Sequence, residues 1–398
     1  FLRKILAHKH ALSIHLPLAV IWNSINIKEI VKILKKIGKW FLFLIGGIIG
    51  AILIVLLIIQ INSDGVEEPF IDEHGKVLPN SIAMHEDKII NGAPQRLTIR
   101  GRDINNPVLL RVHGGPGSPV PPAALKIFNV DLEDIFTVCY WDQRGSGLAY
   151  KGNIPDSTIT LNQIVDDGLD VTNYLREKFK KDKIYIEGIS WGTTVSAFMV
   201  QKNPELFNAY IGVGQMANQP LSEQISYDFV MQEAQKQNDT ISINQLKSIG
   251  RPPYTNKTNV EMAEACDIER VILVKYVPSK NTPRFKDFKS YLLDNGLTLK
   301  EKYISLQNPE SYFPAYKLMW PTCFNSNLMR DVPEWKIPVF MIQGDEDYFT
   351  ETSLAKAYFD SLKAPTKKWF LIENATHNIQ MEHPKKYRSI YINEILKK

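Results

Sequence analysis

Cysteine is scarce in this 398-residue chain: Cys139, Cys266 and Cys323 are the full complement. They show no C-x-x-C spacing and no partnered histidines, which argues against zinc, and three thiols cannot staple a disulfide scaffold. At most one bridge is available, between Cys266 and Cys323. Cys139 stands in an apolar run and is expected to be a buried, inert thiol. A strong net charge is also lacking, at +4 from 47 basic and 43 acidic side chains. Much of that excess sits in the first forty residues, where Arg3, Lys4, Lys9, Lys28, Lys32, Lys35, Lys36 and Lys39 face a single acid, Glu29. Basic charge confined to the edge of an apolar segment does not describe a nucleic-acid binder. Repeats and low-complexity tracts are absent, and apolar and charged fractions of 44% and 23% are those of a folded globular chain.

What is present begins with an apolar run, WFLFLIGGIIGAILIVLLII, over residues 40–59. At the rise of an α-helix, about 1.5 Å per residue, it matches the roughly 30 Å hydrocarbon core of a bilayer. A buried core helix seldom lacks every charge over such a length, and no small-x-small cleavage site follows directly, as a signal peptide would require. A single-pass signal-anchor is expected. Lysines precede it and Asp64, Glu67 and Glu68 follow, so residues 1–39 form a cytoplasmic leader and the rest lies outside the membrane. Gly46 and Gly50 fit a small-xxx-small helix contact. His8, His10 and His15 fall in the leader; a poorly ordered leader is expected there rather than a metal site.

After a linker over 61–80, short apolar segments alternate with helical ones. Strands are expected at 108–112, 135–141, 183–188, 208–213, 337–342 and 368–372, and helices at 161–179, 190–201, 354–362 and 384–396. That alternation predicts an α/β fold whose mostly parallel sheet is covered on both faces. It stops between about 216 and 335, where helix-like pieces and Arg251-Pro252-Pro253-Tyr254 indicate an inserted helical cap. The catalytic core is thus expected in two parts, 81–215 and 336–398.

Four motifs follow strand ends. Gly188-Ile189-Ser190-Trp191-Gly192 places a serine on a strand-to-helix turn, where its hydroxyl projects above a sheet. His113-Gly114-Gly115-Pro116-Gly117 is a loop whose backbone can approach a reacting carbonyl. Gly115 and Trp191 are the expected N–H donors to an oxyanion. Gln343-Gly344-Asp345-Glu346-Asp347 offers two acids able to orient a histidine, Asp345 and Asp347. His377 follows the last strand, completing the chain order serine, acid, histidine, and would be the base; His113 precedes the serine and would not. Acyl transfer by such a set needs no metal or organic cofactor. In Tyr140-Trp141-Asp142-Gln143-Arg144-Gly145-Ser146-Gly147, Asp142 and Arg144 are expected to pair and brace the glycine loop.

With HGGPG, YWDQRGSG, GISWG, GDEDYFT and His377 in one chain, the sequence resembles the proline iminopeptidase branch of the α/β-hydrolase superfamily, over roughly residues 80–215 and 335–398. The resemblance implies Ser190 as nucleophile, Asp347 as the acid, His377 as the base, and Gly115 and Trp191 as oxyanion donors. It also implies cap glutamates that hold the substrate's free amine, one of them in a Trp-Glu pair. Residues 216–335 contain no such pair. Glu223 and Glu233, on the first cap helix, are the candidates. Ser226-Tyr227 and Arg251-Pro252-Pro253-Tyr254 give the cap the look of uncharacterised bacterial hydrolases.

The reading is a membrane-anchored serine hydrolase that cleaves a small peptide with a free N-terminus. An esterase for small or lipid-like esters is the alternative, and a non-catalytic binding protein on a hydrolase scaffold the rival from another class. Epoxide hydrolases and dehalogenases of this fold use an aspartate where this chain has Ser190.

Overall fold

The computed structural model describes residues 27–128, 130–152, 154–281, 285–307 and 314–397; His8, His10 and His15 lie outside them. The chain divides into two compact units at Ile58/Ile59. The first holds most of helix α1 (Ile27–Ile61), which is long and apolar enough to cross a membrane. Trp40 and Leu42 are 67% and 69% exposed, so water would be a poor solvent for this helix. It begins before the apolar run because Lys28, Lys32, Lys35 and Lys39 recur at helical spacing, with Lys32 paired to Glu29 at 2.7 Å.

The second unit is built on eight strands in the order β1-β2-β4-β3-β5-β6-β7-β8: β1 (Ile82–Ile90), β2 (Ala93–Gly101), β3 (Val108–Val112), β4 (Thr137–Asp142), β5 (Ile184–Ile189), β6 (Phe207–Val213), β7 (Val339–Gly344) and β8 (Lys367–Ile372). From β4 to β8 all neighbours are parallel. Alternate side chains feed two apolar layers. Val108, Leu110, Ile186, Val339 and Met341 face one, covered by α3 (Leu161–Phe179), α4 (Trp191–Lys202) and α12 (Thr352–Ser361). Leu109, Ile211, Phe340 and Ile342 face the other, under α2 (Pro122–Ile127), α13 (Ile379–Glu382) and α14 (Pro384–Ile390). Helix α14 continues as a π turn over Tyr391–Ile395, within the helix expected at 384–396.

The antiparallel hairpin β1–β2 was not among the expected strands. Asn91 and Gly92, at φ 49° and 74°, form its two-residue turn, and Ile90 pairs with Ala93. Alternation there is masked by charges that find partners: Arg96 pairs with Asp87 and Glu301, and Arg100 with Glu67 and Glu133. The segment read as a linker is packed rather than free. Lys302 Nζ donates to Asn62 O, Ser63 Oγ and Leu292 O, and Glu67 is buried.

Between β6 and β7 stands a helical insertion: α5 (Gln219–Lys236), α6 (Thr240–Ile249), α7 (Asn259–Tyr276), α8 (Phe285–Leu292), α9 (Leu299–Ser305), α10 (Pro314–Phe324) and α11 (Leu328–Asp331). Its two ends meet where Asn218 bridges Asn327 and Gln219 N donates to Ser326 O. Cys266 and Cys323 are buried there as free thiols, so the bridge considered from sequence is not formed.

The expected Asp142–Arg144 pair is replaced by a longer-range one. Arg144 reaches Asp167 on α3 through Nε at 2.5 Å and Nη2 at 2.8 Å, while Asp142 accepts Leu148 N–H. Asp167 also accepts from Gln95 and Asn91, tying the β1–β2 hairpin and the turn after β4 to one carboxylate. Removing one partner of a buried pair strands the other. Arg144→Ala should therefore lower stability by about 3–5 kcal/mol, read in chemical denaturation; a loss below about 1 kcal/mol would show that the turn does not depend on the pair.

Candidate active site

Ser190 sits between β5 and α4 with φ 54°, a backbone conformation that non-glycine residues rarely adopt. Close approach on both sides holds it there. A Cβ on Gly188 would lie 2.1 Å from Ser196 Oγ and 2.5 Å from Gly192 O; one on Gly192 would lie 2.1 Å from Val112 O. Ser190 N–H donates to Val213 O at 2.9 Å. Trp191 opens α4, so its N–H has no partner within the helix.

The glycine loop after β3 packs on the same serine. The Cβ position of Gly114 is 3.6 Å from Ser190 Oγ, and a Cβ on Gly115 (φ 114°) would meet the backbone nitrogens of Gly117 and Ser118 at 2.7 Å. His113 fixes this loop to the turn after β4. Its Nε2 accepts the Gln143 N–H at 3.3 Å, so Nδ1 carries the proton and donates to Gly114 O at 2.8 Å. Burial pushes its pKa down to about 4. Beside it, burial pushes the Asp142 carboxyl up to about 6. Beneath the loop is a cavity of about 50 Å³, room for a few waters, lined by Arg111, Gly114, Ile189 and Gln380 among others. Arg111 Nη1 and Gln380 Oε1 are buried without partners among the described residues.

Of the two acids, only Asp347 reaches the histidine. Its Oδ2 accepts His377 Nδ1–H at 2.8 Å, Gln343 Nε2 at 2.9 Å and Thr350 Oγ1 at 2.9 Å; its Oδ1 accepts the N–H groups of Phe349 and Thr350. Every contact is with a donor. Asp345 is exposed and instead accepts Ala375 N–H at 3.1 Å, tying the acid loop to the histidine loop. Phe349 stacks on the imidazole with centroids 5.0 Å apart. Gly214 separates the pieces: a Cβ there would lie 2.9 Å from His377 Cε1 and 3.5 Å from Asp347 Oδ2. Since Ser190 N–H is bonded to Val213 O, Ser190 and His377 flank the same Val213-Gly214 corner at the end of β6.

The two cap glutamates part company. Glu233 pairs with Lys236 at 3.2 Å in the last turn of α5. Glu223 is buried and pairs with Arg270 of α7, whose other nitrogen holds Glu269 at 2.8 Å. Burial pushes the Glu269 carboxyl up to about 7. The Arg270 guanidinium lies 4.7 Å from the centre of Phe349, the ring stacked on His377. Gln219 donates to Glu223 and to Phe349 O, and its buried Oε1 has no partner among the described residues. Glu269, Arg270 and Gln219 were not singled out from sequence. A usable signal existed: Glu269 falls on the apolar stripe of α7, in register with Ala265, Cys266, Ile272 and Leu273.

The His113 environment has a pH signature. Its folded pKa is depressed from 6.5 to about 4, so between those values the unfolded chain takes a proton that the folded chain refuses. Stability from this group is complete above 6.5 and is lost as pH falls toward 4. Asp142, raised from 3.8 to about 6, acts in the opposite sense by binding its proton more tightly when folded. The thermal midpoint of His113→Gln should therefore fall less than that of the parent between pH 6.5 and 4; an equal fall in both would contradict a buried neutral imidazole.

Comparison with known proteins agrees with this architecture. The alpha/beta hydrolase fold family matches residues 107–384. The "Probable aminopeptidase YbaC" of Bacillus subtilis (strain 168) is 30% identical over 315 residues, covering 76% of this chain and 93% of that protein. The proline iminopeptidase of Neisseria gonorrhoeae is 31% identical over 94 residues, 24% of this chain and 28% of that enzyme. Among solved structures, a proline iminopeptidase-related protein of Thermus thermophilus superposes with a TM-score of 0.53 at 17% identity, covering 78% of this chain and 96% of its own, a likeness of fold alone. The chain is a hydrolase of the α/β-hydrolase family, similar to the proline iminopeptidases within it.

Proposed function

We propose that this protein is a membrane-tethered serine hydrolase that removes residues from short peptides with a free N-terminus. The observation that carries the chemistry is the Val213-Gly214 corner, with a backbone-strained serine on one side and an Asp347-bound imidazole on the other. Because His377 Nδ1–H is committed to Asp347, Nε2 is the nitrogen left to accept the Ser190 proton as Oγ attacks the scissile carbonyl. The oxygen gains negative charge as the tetrahedral intermediate forms. The N–H groups of Gly115 and Trp191 stabilise it, each worth roughly 3 kcal/mol when preorganised. His377 returns the proton to the departing amine, and water repeats the sequence on the acyl-enzyme. The strain at Ser190 costs on the order of 1–3 kcal/mol and leaves the hydroxyl presented without further reorganisation.

The preference for a free amine rests on the cap. Glu223 and Glu269 share one cation, Arg270, and Gln219 Oε1 is a buried acceptor without a donor beside them. A substrate ammonium would give Gln219 Oε1 a donor and, as a second positive charge beside Arg270, favour the ionised form of Glu269. The name of the Bacillus relative points the same way. The lysines that precede the apolar part of α1, and the acids after it, favour a single-pass anchor with the catalytic unit outside the cytoplasm.

Aminoacyl chromogenic amides, with and without N-acetylation, beside short- and medium-chain nitrophenyl esters, test the substrate class. Acetylation should lower kcat/KM by roughly a hundred-fold or more, the scale of losing a buried charge pair, and Glu223→Gln should erase most of that discrimination. Indifference to acetylation, or activity on esters alone, would assign the protein to the esterases.

A further inference from the structure

One carboxylate outside the catalytic set joins the cap to the histidine loop. Glu382, on α13, accepts Thr376 N–H at 2.7 Å and Thr376 Oγ1–H at 2.7 Å, immediately before His377. The same side chain accepts Ser279 Oγ–H at 2.8 Å and Lys280 N–H at 3.0 Å, from the cap segment that follows α7. That segment makes two further ties. Asn281 Nδ2 donates to Met381 O at 2.8 Å, and Lys280 Nζ lies 2.6 Å from Glu346, the neighbour of Asp347. The loops carrying acid and base are themselves joined, Glu346 N to Ala375 O at 2.9 Å, so residues 279–281 lie across both.

We infer that Glu382 is a positioning residue that latches cap segment 279–281 to the His377 loop, so that seating of the cap and orientation of the imidazole are one event. The inference rests on the reading of His377 as the base. Its physical content is a count of donors. Four converge on Glu382, two from the cap and two from the catalytic loop. A carboxylate has acceptor capacity for all of them, whereas a glutamine retains one oxygen and turns donors toward donors. Cap movement that withdraws Ser279 and Lys280 would leave Thr376 as the partner of Glu382 among the described residues and relax the loop that aims His377. Open cap would then mean slack base, and hydrolysis would be confined to the closed form.

The full chain in detergent serves for the test, with three variants. Glu382→Gln should lower kcat roughly ten-fold with little change in KM, the scale of a small misplacement of a catalytic group. Ser279→Ala combined with Lys280→Pro, which removes both cap donors to Glu382 and the Lys280–Glu346 pair and touches neither Ser190, Asp347 nor His377, should lower kcat in the same direction, by roughly three-fold or more. A role confined to local packing would not move kcat from the cap side. Amide hydrogen exchange supplies a readout that needs no turnover: the Thr376 and Lys280 amides should lose protection together in Glu382→Gln, and Thr376 should also lose it in the cap-side double variant. Unchanged kcat and unchanged Thr376 protection in the double variant would overturn the latch. His377→Ala with full activity would instead overturn the base assignment, and the exchange result would still decide whether cap and loop are joined.

Discussion

The contact on which the rest of the site depends is the backbone crossing at the end of β5. Gly188 and Gly192 bring two turns of chain so close that no Cβ fits between them. That closeness holds Ser190 at φ 54° and lets its N–H bond Val213 across the neighbouring strand. Three structures then converge on one corner: the glycine loop after β3 against the serine, the β6 terminus beside it, and the His377 imidazole over Gly214. A parallel sheet makes this natural, because its strand ends all emerge on one edge and each motif follows a strand. The strain is local, and its cost is carried by the apolar layers on both faces of the sheet.

Around this rigid corner the polar groups divide by task. His113 and Arg144 are buried and fully engaged, and hold loops in place. Asp347 is saturated by donors and holds one imidazole nitrogen. Glu223, Glu269 and Gln219 differ, because their charges and hydrogen bonds do not close among themselves. Unclosed polar groups in a buried place are expensive in a resting protein, and their presence near Phe349 and His377 is what a ligand-binding function would preserve.

Much of this was legible in the residues. Strands β3 to β7 read as short apolar runs because they are buried on both faces, and the observed ends from β3 to β8 differ from expectation by two residues or fewer. The helix at 161–179 was bounded correctly, with Thr160 as its cap. The hairpin β1–β2 was missed because Arg96 and Arg100 are buried there through partners distant in sequence, although Asn91-Gly92 carried the turn signal. Pairing was the weakest reading. Arg144 chose Asp167 over the nearby Asp142, and Glu223 chose Arg270, because a side chain's partner is set by the fold and not by sequence distance. The Cys266–Cys323 question had the same character, and both thiols are free.

The account stands on Ser190 as the group that attacks. The direct measurement is mass-spectrometric identification of the residue modified when the full chain reacts with a fluorophosphonate. The expected result is a single adduct on Ser190 that is lost when His377 is replaced by alanine. An adduct on another residue, or undiminished labelling of Ser190→Ala, would contradict it.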